Sequence, residues 1–276
     1  MAKTLGKNGN NILSLNEVLN THSLNPLRTG MPSLDSIVEV PLGSASMADA
    51  VGASKYVVIE TNEVDDYDID QTKAPMLALS EAAAAVPTGD NFTGKDRKAA
   101  KISKAKGKLE KFNDLKDLLE SLTPDAEMVA LGIPTGQKSD RVEQEERNVQ
   151  VKAFIYAASR EKDNDFHLIV GRAPNKKEMY MNMELSGLPP KSSPIFAALK
   201  AARDAYKKFY KETLKHNLPG LKYQYYPNPP LSVVIEGSLF FDATHSHGNR
   251  PGPPSLKSRI ASIWEIHPIT KIVFKP

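Results

Sequence analysis

The chain has 276 residues, a formal net charge of +3, 40% hydrophobic and 25% charged residues, and no cysteine. That length suits one large domain or two ordinary ones, and the near-neutral charge points to no particular partner. The missing cysteines exclude a disulfide framework, an iron–sulfur cluster and any thiolate zinc site, so a metal would need His and carboxylate ligands.

The opening segment MAKTLGKNGNNILSLNEVL has no apolar signal region. The longest apolar runs fall well short of the ~18 residues a membrane helix requires. The expectation is a soluble cytoplasmic protein with no membrane partner. Residues 1–50 are rich in Asn, Ser, Leu, Pro and Gly and read as extended arms with a short helix at Ser14–Asn20. Such an arm offers a means of oligomerisation. Tyr56–Thr61 is a short strand of β-branched type, and the acidic stretch Glu60–Asp70 after it reads as a loop. Asp66, Asp68 and Asp70 imitate the start of a calcium loop. Gln71 at the sixth position and Leu77 at the twelfth reject that reading. Pro75–Val86 has Pro at a first helical position with strong helix formers behind it.

Asp96–Leu122 reads as a long helix. Ile102, Ala105, Leu109, Phe112, Leu115, Leu119 and Leu122 recur at spacings of three and four, with Gly107 as its weak point. Lys95–Lys111 carries eight basic residues against two acids. Two readings stand: a solvated helix face, or a contact with nucleic-acid phosphates through Lys98, Lys101, Lys104 and Lys108. Pro134–Arg147 is polar and turn-rich, and serves as the link between an N-terminal region, 1–146, and a C-terminal domain, 147–276.

The second half has the clearer rhythm. Strands are expected at Asn148–Ala158, Asp165–Gly171 and Glu178–Leu185. A helix follows from Ser193 and Pro194, with Phe196, Leu199, Ala202, Tyr206, Phe209 and Tyr210 as its buried stripe. The Tyr-rich connection after it, with Lys222, Tyr223, Tyr225 and Tyr226, is either a packed loop or a base-stacking surface. Strands at Leu231–Asp242 and Arg259–Phe274, the latter bent at Pro268, complete the chain. Five strands with one helix after the third is the order of an OB-type barrel, here an α+β domain preceded by a helix-containing region.

Four of the six histidines lie in these strands or at their ends: His167, His245, His247 and His267. Asp165 and His167 share a strand face, as do Glu265 and His267, and Glu184 sits on the polar face of its strand. Asp242 closes the fourth strand just before His245 and His247. Imidazole and carboxylate are ligands of zinc, manganese or iron, and a His held by a carboxylate is a general base. Asp242, His245, His267 and His167 are the candidate ligands. Asp165, Glu184, Glu265 and His247 are the supporting polar groups. Strand spacing of this kind also arises structurally, and no H-E-x-x-H, P-loop, G-x-G-x-x-G or nucleophile elbow is present.

The segments V-I-E-G-S-L-F-F-D-A-T-H (Val234–His245) and W-E-I-H-P-I-T-K-I (Trp264–Ile272), with Asp163–Val170 and Glu184, resemble a pattern in a group of uncharacterised bacterial proteins. The resemblance covers about residues 147–274. It implies that these acids and histidines form a recurring set, and it implies no activity. The leading expectation is a binding or assembly module with an OB-like domain, contacting nucleic acid or another protein. The alternatives are a metal-assisted hydrolase or phosphodiesterase using a zinc or manganese ion in a His/carboxylate cleft, and a structural assembly protein docking through its N-terminal arm.

Overall fold

The computed structural model describes residues 55–65, 89–177, 179–247 and 250–275. The expected helices at Ser14–Asn20 and Pro75–Val86, and the arm over 1–50, lie outside them. Among the described residues eight strands follow in chain order: β1 (Ile59–Glu60), β2 (Leu109–Phe112), β3 (Asn148–Arg160), β4 (Phe166–Gly171), β5 (Tyr180–Leu185), β6 (Gln224–Tyr225), β7 (Leu231–Phe241) and β8 (Trp264–Phe274). The helices are α1 (Lys98–Lys101), α2 (Leu115–Glu120), α3 (Asp125–Ala130), α4 (Phe196–Phe209) and α5 (Pro254–Lys257). None of the helices among the described residues is long and apolar enough to cross a membrane.

β3, β4, β5, β8 and β7 close into a five-stranded mixed barrel of OB type. Every pairing around it is antiparallel except β5 with β8, where Met183 stands beside Ile266. Period-two alternation sends one side chain of each pair inward. Val149, Val151, Leu168, Val170, Met181, Met183, Ile235, Trp264 and Ile266 therefore fill the interior, all at or near zero exposure. The helix after the third strand buries Leu199, Ala202, Tyr206 and Phe209 as its spacing required. Phe209 stacks on Phe274 with centroids 3.8 Å apart.

The outer face of the barrel is covered as well. Ile169 and Tyr180 belong to a second apolar cluster with Tyr156, Tyr223, Leu256 and Ile260. Tyr223 and Tyr226 are fully buried, so of the two readings of the Tyr-rich connection the packed loop is the one observed. A short strand at Tyr56–Thr61 was expected. Its paired part is Ile59–Glu60 against β6, and Tyr56 and Val58 enter the main core.

The long helix expected over Asp96–Leu122 does not form. In its place stand the four-residue α1, the extended β2 running parallel to β3, and α2. Asn148 donates to the carbonyls of Ala105 and Gly107, and Ser238 Oγ accepts from the Ala105 N–H. Gly107 N–H bonds the Glu146 carbonyl at 3.1 Å, and a Cβ on Gly107 would come within 2.2 Å of that oxygen. Side chains of the barrel thus take the backbone groups a helix would have paired with itself. Asp114, accepting from Lys116 N–H at 3.0 Å, starts α2 afresh. Of the proposed stripe, Leu115 is buried and Leu109 is 40% exposed.

The polar stretch Pro134–Arg147 is packed against the barrel. Arg97 makes two 2.7 Å bonds to Glu145, both residues fully buried, and Glu145 also accepts from Phe241 N–H. Arg141 donates to the carbonyls of Ala100 and His267. These contacts hold the segment around α1 over β7 and β8.

Candidate functional site

The β4–β5 register places His167 directly opposite Glu184, and the parallel β5–β8 pairing brings Glu265 and His267 to the other side of the same carboxylate. Glu184 consequently stands between two imidazoles. Its Oε1 is 2.9 Å from His167 Nε2, and its Oε2 is 2.8 Å from His267 Nδ1. Asn182, two residues back on the same face, donates to both Glu184 and Glu265 at 2.9 Å. The strand faces that carry these acids and histidines are almost wholly enclosed: Asp165, Asn182, Glu265 and His267 are 0% exposed and Glu184 1%.

Two loops complete the cluster. The β3–β4 turn supplies Glu161, Asp163 and Asp165. Arg203, fully buried on α4, fixes this turn by donating to the carbonyls of Asn164, Leu185 and Ser186. Asp165 Oδ1 accepts from Gly187 N–H, and its Oδ2 is 3.3 Å from His267 Nε2. The β7–β8 connection supplies Asp242 and His245, 3.6 Å apart, in the 3-10 turn Ala243–His247 that also holds His247. In an OB barrel the second and third strands, with the loops joining strands one to two and four to five, are the usual ligand-binding surface. Here those parts are β4, β5 and these two loops.

An open cavity of about 230 Å³ lies over this surface. Its acids are Asp65, Asp96, Glu161, Asp163, Glu184 and Asp242, and its other titratable lining includes His167, His245, Lys95, Lys101 and Lys162. Among the described residues, two sets of three bring one ligand atom each within 4.8 Å of the others: Asp65, Glu161 and His167, and Asp165, Glu184 and His267. Of the four candidate ligands read from sequence, His167 and His267 fall in different sets. Asp242 and His245 pair with each other beside the first.

The electrostatics follow from burial and crowding. Burial alone would lower His167, but Glu184 and Glu161 outweigh it and hold the imidazole well above its ordinary pKa. His267 is raised for the same reason, with Glu184 the main partner. Burial favours the neutral form of Glu184, yet the two imidazoles and Lys101 keep its carboxyl well below the usual range. Glu265, buried and facing the charge of Glu184, is pushed up to about 8. Burial and the neighbouring Asp165 push Asp163 up to about 7. Asp242 is lowered, because His245 and Lys101 overcome its burial.

The four lysines proposed for phosphate contact divide. Lys101 points among carboxylates, with Glu184 and Asp242 its strongest attractions. Lys98 lies 5.7 Å over the Phe92 ring, and Lys104 and Lys108 are exposed. Sequence reasoning missed Asp65, Glu161 and the inward turn of Lys101. Glu161 follows a strand by one residue, which is a usable signal. Asp65 lies in an acidic run with no periodicity, and nothing local ties it to residues 161 and 167.

No protein-family model, curated protein or solved structure matches the chain.

Proposed function

We propose that this protein is a metal-dependent hydrolase of phosphodiesters, with a zinc or manganese ion held in the cavity by Asp65, Glu161 and His167. One observation carries the reading. His167 Nδ1 is buried without a hydrogen-bond partner, 3.6 Å from Asp65 Oδ2 and 3.7 Å from Glu161 Oε1. Those separations are too long for hydrogen bonds. They are close to the ~3.4 Å between two ligands of a tetrahedral ion with bonds of about 2.1 Å.

The surroundings support it. His167 Nε2 faces Glu184 Oε1 at 2.9 Å, the carboxylate–histidine arrangement that leaves Nδ1 to a metal. Asp65 accepts from Gly252 N–H at 2.9 Å, and Glu161 from Ser159 Oγ at 2.7 Å, so both carboxylates are oriented. The acids argue against a simple phosphate-binding cleft, since without a cation they repel a phosphate. With one, the cavity offers a divalent ion flanked by Lys95, Lys101 and Lys162. An ion held there would supply Lewis-acid chemistry, polarising the phosphoryl oxygens and activating a water that displaces the leaving alcohol from phosphorus. His245, 3.6 Å from Asp242 on the same cavity wall, would supply the proton that the alcohol takes and recover one from the water.

The test is hydrolysis of bis(p-nitrophenyl) phosphate by chelated protein reloaded with zinc or manganese. Asp65→Asn and His167→Ala are expected to lose both ion and activity. His245→Ala should keep the ion and lose about 100-fold in turnover. Activity indifferent to Asp65→Asn and His167→Ala, or a chelated chain that rebinds neither ion, sinks the reading.

A further inference from the structure

The second set of ligand atoms lies inside the barrel wall, behind the cavity. Asp165 Oδ2, Glu184 Oε2, Glu265 Oε2 and His267 Nδ1 are all buried, and none has a hydrogen-bond partner. The residues that carry them are no more than 1% exposed. Buried polar atoms are nearly always paired, so the orphans at the Nδ1 edge require a cause; Asp165 Oδ2 stands at the other edge of the ring, 3.3 Å from Nε2.

The tautomer of His267 sharpens the point. Ser186 Oγ is 3.0 Å from the Lys101 carbonyl, which can only accept, so the hydroxyl proton goes there. Ser186 Oγ, 2.7 Å from His267 Nε2, is then left to accept from that nitrogen. In the neutral ring the lone pair is on Nδ1, and it faces Glu184 Oε2 at 2.8 Å and Glu265 Oε2 at 3.5 Å. With the ring neutral and both carboxyls ionised, three electron-rich atoms meet with no donor among them. These spacings bracket the ~3.0 Å and ~3.4 Å ligand separations of octahedral and tetrahedral ions with bonds near 2.1 Å.

We infer that a second divalent cation, of the zinc or manganese class, is held within the barrel wall by His267 Nδ1 and Glu184 Oε2, with Glu265 Oε2 beside them. Its role is positional. It fixes Glu184 by Oε2, leaving Oε1 to hold His167 for the cavity. The site does not depend on hydrolysis taking place in front of it. A proton on Nδ1 is the competing occupant.

Ion stoichiometry separates the two. The full chain is dialysed against chelator and titrated with zinc, then with manganese, by calorimetry and elemental analysis. Two ions per wild-type chain are expected, and one in each of His267→Gln and Glu265→Gln, with Asp65→Asn losing the other. One ion in wild type, lost in Asp65→Asn but kept in Glu265→Gln, overturns the buried site and spares the cavity reading. One ion kept in Asp65→Asn and lost in Glu265→Gln supports the buried site and sinks the cavity reading. No ion in wild type overturns both, whatever the folding of His267→Gln.

Discussion

Arg97 shows what a single buried residue does here. Its guanidinium forms a two-bond fork with Glu145, lies 4.7 Å over the Phe240 ring, and donates to the Phe241 carbonyl. Removing one partner of a buried pair leaves the other charge without compensation, at a cost of about 3–5 kcal/mol. Arg97→Met should therefore lower unfolding free energy by that order in a urea titration, and the double variant with Glu145→Leu should recover much of it. A loss under ~1 kcal/mol in the single variant would show that Glu145 finds another partner. The sequence marks Arg97 only as one of eight bases in a run. Its burial comes from Glu145, a residue the sequence assigns to a link.

At the scale of elements, the β7–β8 pairing decides where His267 sits. The register shifts on either side of Gly237, which stands opposite Ile269. A Cβ on Gly237 would meet the Pro268 carbonyl at 2.4 Å and Ile266 Cγ2 at 2.5 Å. The carbonyl is backbone and cannot swing aside. Gly237→Ala should destabilise the barrel by about 1–3 kcal/mol, as overpacking does, and displace His267 as well. A melting experiment reads the first effect, and a fall in metal stoichiometry reads the second. Unchanged stability would mean that β8 can shift as a unit. The barrel strands were legible because each alternates over its own few residues. The helix over Asp96–Leu122 was misread because its three-and-four spacing is real. Asn148, Ser238 and the Glu146 carbonyl, all distant in sequence, compete for its backbone.

For the whole molecule, the cluster makes stability depend on pH in a way that reveals its occupants. In chelated protein His167 and His267 have raised folded pKa values, so their contribution is complete below about 6.5 and fades as pH rises. Glu265, raised to about 8, and Asp163, raised to about 7, bind protons in the folded state that the unfolded chain has released. They too lose stability as pH climbs from about 4 to 8. Glu184, lowered, acts oppositely, and only in the acid limb below about 4.5. The chelated chain should therefore melt at progressively lower temperature from pH 5 to pH 8. Metal binding displaces protons, so the zinc-loaded chain should have a flatter or reversed slope. Parallel slopes with and without zinc would count against ions in the cluster.

The sequence by itself determined the α+β class, the five barrel strands, the helix after the third, and a group of acids and histidines at the strand ends. These are local properties: alternation, stripe spacing, and the end of a strand. Only the tertiary structure decided which residues meet. Barrel closure through the β5–β8 pair set Glu184 between His167 and His267, and the segment carrying Asp65 came from about a hundred residues earlier in the chain to stand beside Glu161. Hydrophobic alternation records which way a side chain points and not what covers it. The strand faces that carry the acids and histidines are buried because other parts of the chain lie over them.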